Sequence, residues 1–155
     1  MSDLILDNTY LILLLPLWIF LIIMCGRFFA VYVNKTIIYV LTLLSSFLGI
    51  LLCSASLLKL DYSLEQSFDF IKINNFSIPF GIYIDKISLI IALVLFLVSF
   101  FVQAFSIDYM KDEAKQYRFY AFLNMFNFSM AGLLFSPNLF QMYFFWELVG
   151  VMSYL

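Results

Sequence analysis

The chain contains 155 residues, of which 65% are hydrophobic and 12% are charged, and its formal net charge at neutral pH is −2. Soluble domains are about half apolar and about a quarter charged, so this composition excludes an ordinary soluble globular protein. The small net charge and the lack of a basic stripe exclude a nucleic-acid-binding protein, so nucleic acid is not an expected partner. Long apolar runs separated by short polar breaks predict a polytopic membrane protein.

Five apolar segments are long enough to predict membrane-spanning helices, because a hydrocarbon core about 30 Å thick needs roughly 20 helical residues. They cover about residues 10–26, 37–58, 88–107, 117–135 and 139–155. We therefore expect an all-α fold that forms a single membrane domain over residues 1–155. The start MSDLILD lacks the basic residues of a secretory signal, so the first helix is expected to be retained.

A long polar break over residues 59–87 separates the second and third predicted helices. Its stretch FDFIKINNFSI places Phe68 and Phe70 on one face of a strand, and the pair Asn74 and Asn75 is a turn signal. The break therefore predicts a small β-hairpin outside the membrane, with an irregular loop as the alternative.

Basic residues predict the orientation of the chain, because they are enriched on the negative side of a membrane. The first and third breaks carry five of them against three in the second: Arg27, Lys35, Lys111, Lys115 and Arg118 against Lys59, Lys72 and Lys86. We expect the first and third breaks and the carboxy terminus on the negative side. The amino terminus and the hairpin are then expected on the positive side.

Glu147 is the charged residue that lies within a predicted membrane helix, in the stretch QMYFFWELVGVMSYL. A charge at the bilayer centre costs about 2.5–3.5 kcal/mol on insertion scales, so an intramembrane acid is by default a functional residue on an ion pathway. Its helical face also carries Tyr143, Phe144 and Val151, and Gly150 permits close approach of a neighbouring helix. The sequence thus indicates a proton relay at Glu147.

Asn124 and Asn127 share one face of the fourth helix, and the short SPN break makes the fourth and fifth helices antiparallel neighbours. Asn127 and Glu147 are both ten residues from Pro137, which predicts that they lie at the same depth, near the midplane. A second interpretation is therefore open, in which a neutral Glu147 is hydrogen-bonded to an amide such as Asn127 and only pins two helices. Amides within membrane helices more often join helices than relay protons.

Three stretches, FGIYIDKISLI, YRFYAFLNMFNFSMAGLLFSPN and NLFQMYFFWELVGVMSYL, resemble the amino-terminal part of chain 5 of NADH:ubiquinone oxidoreductase, respiratory complex I, and its chloroplast relative, the F subunit. The resemblance covers about Phe80 to Leu155. It is carried by Trp146-Glu147-Leu-Val-Gly150 followed by Ser-Tyr-Leu, of which the sister chains 2 and 4 lack the Val-Gly and Ser-Tyr-Leu elements. A related pattern occurs in the large subunit of multisubunit sodium/proton antiporters.

The resemblance implies a subunit of the proton-translocating membrane arm, which couples NADH oxidation by quinone to proton pumping. Glu147 would be its proton-relay carboxylate and would pair with a lysine on a later helix, with Asn127, Asn124, Trp146 and Gly150 as supporting residues. The antiporter-like fold would be incomplete, because that lysine and the later helices lie beyond Leu155. Alternatives are part of a sodium/proton antiporter, a structural membrane-arm subunit without pumping and a small stand-alone channel.

No metal or cofactor is expected in this chain, which has two cysteines and no histidine. The resemblance assigns NADH, FMN, the iron–sulfur clusters and ubiquinone to other subunits. Expected partners are membrane lipid, other membrane-arm subunits and, if the subunit is encoded in pieces, a separate polypeptide that carries the rest of the chain 5 fold. An artificial fragment is the alternative to a split subunit. The composition favours the mitochondrial inner membrane, with the bacterial plasma membrane and the thylakoid as alternatives.

Overall fold

The protein is described here by a computed structural model that covers residues 2–28, 34–60, 63–73, 76–111, 113 and 115–155. Within these residues the chain forms five helices and one two-stranded sheet. The helices are α1 (Ser2–Phe28), α2 (Lys35–Lys59), α3 (Lys86–Tyr109), α4 (Gln116–Leu134) and α5 (Leu139–Tyr154), and the strands are β1 (Leu64–Ile73) and β2 (Phe76–Ile84). The predicted fold class, a helical membrane protein with a small hairpin between its second and third helices, is confirmed.

Among the described residues, three helices are long and apolar enough to cross a membrane. The spans are Thr9–Gly26 within α1 and the full lengths of α2 and α3. Helix α5 has 16 residues and α4 has 19, and several residues of α4 are polar. Membrane crossing by α4 and α5 therefore stays a prediction, although both pack against the rest of the helical bundle.

Side chains at the helix starts set where three of the helices begin. Asn34, Asp85 and Asn138 are the N-cap residues of α2, α3 and α5, and each accepts a hydrogen bond from a backbone N–H two or three residues later. Helix α1 begins at Ser2, eight residues before the predicted start near Tyr10. Polar residues can extend a membrane helix beyond its apolar run because that end can lie in water.

The hairpin pairs β1 and β2 antiparallel, from Leu64 opposite Ile84 to Ile73 opposite Phe76. Its register shifts between Asp69 and Ile71. An extra residue in one strand changes the side-chain alternation, so the regular pattern predicted through Phe68 and Phe70 is interrupted there. The predicted turn at residues 74–75 lies outside the described residues.

Two clusters of buried apolar side chains hold the elements together. One joins β2 to α2, α3 and the end of α4, and includes Cys53, Ile84, Leu89, Phe96 and Phe135. The other joins α1, α2 and α4, and consists of Ile19, Ile23, Ile38, Tyr120 and Ala121. The hairpin is thus packed onto the helices through β2.

Candidate functional site

Glu147 lies on an outward face of α5. Together with Leu139, Met142, Tyr143 and Trp146 it lines a shallow groove of about 440 Å³. The side chains of Tyr143 and Trp146 are 65% and 66% exposed. Tyr143 precedes Glu147 by one helical turn, and its hydroxyl lies beside the carboxylate. The carboxylate therefore stands among exposed aromatic side chains and not inside the helical bundle.

Gly150 lies one turn beyond Trp146 and is also exposed. Apart from its chain neighbours and the backbone of its own helix, a Cβ atom built at Gly150 would meet no atom of the described chain within 4 Å. The close helix approach that the sequence suggested at this glycine is thus not made by the described part of the chain. The surface that carries Trp146, Glu147 and Gly150 is available for a second segment or chain, and the supporting roles of Trp146 and Gly150 stay predictions.

Asn124 and Asn127 are completely buried, whereas Glu147 is exposed. The Asn127 side-chain oxygen accepts a hydrogen bond of 2.5 Å from the Ser99 hydroxyl of α3. The Asn124 amide donates to the backbone carbonyl of Tyr120, one turn earlier in α4, at 2.8 Å. Both amides therefore bond within the bundle, and no hydrogen bond joins Asn127 to Glu147 in the described residues.

Helices α4 and α5 nevertheless bring Asn127 and Glu147 to about the same level. The rings of Phe128 and Phe145 meet edge to face, with their centroids 5.6 Å apart. Phe145 also packs on Gly132, where a Cβ atom would lie 2.4 Å from the ring. Because the helices are antiparallel, contact between positions 128 and 145 places positions 127 and 147 at similar depth.

Gln141 is a residue whose role the sequence analysis missed. Its side chain accepts a hydrogen bond from the Gly81 backbone N–H at 2.9 Å and donates to the Gly81 carbonyl at 2.8 Å. The Asn138 amide donates to the Pro79 carbonyl at 2.6 Å, so three hydrogen bonds join the start of α5 to β2. The sequence feature that could have indicated this role is a glutamine in the first turn of an otherwise apolar helix. These bonds fix the hairpin to the start of the helix that carries Glu147.

Residues 70–120 match the protein family described as NADH-Ubiquinone oxidoreductase (complex I), chain 5 N-terminus. The chain is also similar to proteins named NAD(P)H-quinone oxidoreductase subunit 5, chloroplastic, of which three illustrate the coverage. The protein from Malvaviscus arboreus is 45% identical over 82 residues, which are 53% of this chain and 12% of that one. The resemblance to the amino-terminal part of complex I chain 5 is confirmed.

The other two relatives show the same partial coverage. The protein from Aethionema grandiflorum is 46% identical over 82 residues, which are 53% of this chain and 11% of that one. The protein from Chara vulgaris is 43% identical over 88 residues, which are 57% of this chain and 13% of that one. The matched segment thus spans only about an eighth of the length of these chain 5 relatives.

The family match covers only part of the fold. It begins in β1, includes β2 and α3, and ends at residue 120 in α4, so it does not include Glu147. The relay role of Glu147 therefore stays a prediction. All three relatives are named as chloroplastic, and they do not support the mitochondrial location that the composition favoured.

Proposed function

We propose that the chain is part of the proton-translocating membrane arm of a complex I-type NAD(P)H:quinone oxidoreductase, with Glu147 as an intramembrane proton-relay carboxylate. The similarity to chain 5 supports the complex. The observation that carries the relay is the placement of Glu147, a carboxylate among apolar and aromatic side chains on an outward face of α5.

The exposure of Glu147 on this chain has a physical consequence in a membrane. Ionisable groups within membranes face a protein interior or a water-filled cavity, because exposure to lipid is costly. The groove of Leu139, Met142, Tyr143, Trp146 and Glu147 must therefore be covered by protein. We propose that a further segment or a separate polypeptide of the chain 5 fold covers it and supplies a buried lysine.

A lysine at this surface gives the carboxylate a way to bind and release a proton. An opposite charge within about 4–6 Å favours the ionised form of a carboxylate, and removal of that charge favours the protonated form. Movement of the lysine cation towards and away from Glu147 would therefore release and take up one proton. Redox chemistry with NADH, FMN, iron–sulfur clusters and quinone is assigned by this proposal to other subunits.

The names of the same relatives also bear on the membrane that holds the complex. These proteins are named as chloroplastic, which supports the thylakoid, an alternative that the sequence left open, over the mitochondrial inner membrane. Fractionation of the source cells with an antibody to the hairpin tests this part of the proposal. Co-purification in mild detergent identifies the polypeptide that covers the Glu147 surface.

Substitution of Glu147 tests the relay. Glu147→Gln keeps the shape and the hydrogen-bonding capacity but removes titration, so the complex should assemble while proton uptake per NADH oxidised falls. Glu147→Asp keeps titration but withdraws the carboxylate by one methylene, so partial pumping should remain. Tyr143→Phe is the matched control, because it removes the neighbouring hydroxyl and leaves the carboxylate in place.

The measurement is proton uptake per NADH oxidised in reconstituted vesicles, with a native gel to confirm assembly. Pumping by Glu147→Gln at the wild-type ratio would show that the residue only joins helices, as in the structural-subunit alternative. A repeat with a sodium gradient and a proton-conducting uncoupler distinguishes proton from sodium transport.

A further inference from the structure

The half of the bundle nearest the α3–α4 connection contains a column of buried polar side chains between α2, α3 and α4. We define the column by Ser46 of α2, Ser99 and Gln103 of α3, and Gln116, Asn124 and Asn127 of α4, all of which are at most 5% exposed. Helices α2 and α3 contribute from their halves nearest the α1–α2 and α3–α4 connections, and α4 contributes from Gln116 at its start to Asn127 just past its middle. Glu147 is not part of this column, because it lies on the outward face of α5.

The column ends abruptly at one level of the bundle. On the buried stripe of α4, Asn127 is followed by Ala131 and Phe135, and on that of α3, Ser99 is preceded by Phe96 and Ala92. From Gln116 to Asn127 the column follows 11 residues of helix, or about 16 Å. That length is roughly half of a hydrocarbon core about 30 Å thick. Along α3 and α4 the buried stripe thus changes from polar to apolar near the midplane. On α2 the buried Ser56, whose hydroxyl also has no hydrogen-bond partner in the described chain, lies beyond that level.

Phe96 closes the end of the column that lies near the membrane midplane. Its ring is completely buried and lies against the backbone of α2, where a Cβ atom at Gly49 would be 2.6 Å from it. The other end reaches the start of α4, where Gln116 follows the exposed residue Lys115. The column is therefore closed at the midplane and adjoins the surface at the α3–α4 connection.

Hydrogen bonds across the column use only part of its polar groups. The Ser46 hydroxyl donates to the Gln103 side-chain oxygen at 2.9 Å, and the Tyr39 hydroxyl donates to that of Gln116. Six buried atoms in and beside the column have no hydrogen-bond partner in the described chain: Ser45 Oγ, Gln103 Nε2, Gln116 Nε2, Tyr120 Oη, Asn124 Oδ1 and Asn127 Nδ2. Buried polar groups in proteins are rarely left without a partner, because that is costly.

The chemistry of these six atoms identifies the ligand that satisfies them. Three are amide nitrogens that only donate, one is an amide oxygen that only accepts, and two are hydroxyls that do both. A cation would satisfy only the acceptors and an anion only the donors. Water donates and accepts, and a buried water typically makes about three hydrogen bonds to such groups.

We propose that the column binds a file of water molecules that enters beside Gln116 and ends at the Ser99–Asn127 pair, below Phe96. This file of water would connect one membrane surface to the midplane and would not continue to the other surface. It is distinct from the Glu147 groove, because the residues that line the groove all belong to α5 whereas the column belongs to α2, α3 and α4. The proposal stands whether or not Glu147 relays protons.

Accessibility of introduced cysteines to Ag⁺ tests the water file, because this small ion reaches a thiol only through water. Cys25 is exposed and is first replaced by serine, whereas Cys53 is buried in the apolar half and is kept as an internal control. Ser99→Cys is compared with Ala92→Cys, two turns away on the same buried face of α3. Vesicles with the intact assembly are treated with Ag⁺, and unreacted thiols are alkylated after denaturation and counted by mass spectrometry.

The expected result is that Ser99→Cys reacts at least tenfold faster than Ala92→Cys and Cys53, and only when Ag⁺ is added on the α3–α4 connection side. Ser46→Cys, at the same level on α2, should behave like Ser99→Cys and replaces it if that variant does not assemble. Equal, slow reaction of Ser99→Cys and Ala92→Cys would show a dry polar contact between helices. Equal, fast reaction would show that Phe96 does not close the path. Either outcome overturns the proposal.

Discussion

The two hydrogen bonds between Gln141 and Gly81 should control the stability of the hairpin. The Gln141 side chain pairs with both the N–H and the carbonyl of Gly81, and both residues are buried. Gln141→Leu keeps a side chain of similar size but can make neither bond. Gly81 itself cannot be enlarged, because a Cβ atom there would lie 2.2 Å from the Gln66 carbonyl oxygen. The substitution therefore isolates the effect of the two hydrogen bonds.

The structure gives the size of the expected effect. Each buried backbone group left without a partner costs about 1–3 kcal/mol, so two such groups give about 2–6 kcal/mol. The hairpin lies outside the helical bundle, where water can reach partly opened groups, so the lower end of this range applies. A loss of about 2 kcal/mol in the free energy of local opening corresponds to roughly 30-fold faster amide exchange.

Hydrogen–deuterium exchange measured by mass spectrometry on peptides of β2 is the assay. Gln66→Leu is the matched control, because Gln66 only accepts an exposed hydrogen bond of 3.2 Å from the Tyr10 hydroxyl. Exchange in β2 should rise in Gln141→Leu and stay near wild type in Gln66→Leu, while exchange in α3 should not change. Equal exchange in both variants would refute a role of the two Gln141 bonds in holding the hairpin to the helices.

Two further substitutions test the packing and capping of the helices through the thermal unfolding midpoint in detergent. Gly132→Leu should lower the midpoint by the equivalent of about 1–3 kcal/mol, because the new side chain would overlap Phe145, and Phe145→Ala in the same chain should recover part of the loss. No loss in Gly132→Leu would contradict the close α4–α5 contact. Asp85→Ala should cost about 1 kcal/mol because it removes the N-cap bond of 2.7 Å from the Ser88 N–H, whereas Asp85→Asn should not. Equal midpoints for the two variants would contradict the cap.

Bilayer thickness explains why the helices could be predicted from the sequence. Only a helix satisfies the backbone of an apolar segment in lipid, and its length is set by the hydrocarbon core. The observed starts of α2, α3 and α5, at Lys35, Lys86 and Leu139, lie within two residues of the predicted ones. The start of α1 differed because hydropathy locates the apolar run and not the end of a helix that continues into water. The register shift at Asp69 leaves no signal in composition and was not predicted.

The direction in which Glu147 points could not be predicted from the sequence. Apolar and aromatic residues lie all around α5, so periodicity does not distinguish its outward face from its buried one. The hydrogen-bond partner of Asn127 could not be predicted from the sequence either. The antiparallel arrangement of α4 and α5 places Asn127 level with Glu147, but the packing of α3 places Ser99 next to it. Depth follows from residue counts along two helices, whereas the contact of a side chain depends on how three helices are arranged.

The two polar sites of the chain differ in the partners that they need. The column between α2, α3 and α4 is enclosed by this chain, and its unpartnered atoms require only water. The Glu147 groove is open, and a carboxylate in that position requires a covering segment and a counter-charge. Separation from its partners should therefore destabilise the surface around Glu147 and leave the column as it is. Loss of pumping in Glu147→Gln with continued Ag⁺ access to Ser99→Cys would show that the two sites act independently, although Asn127 and Glu147 lie at the same depth.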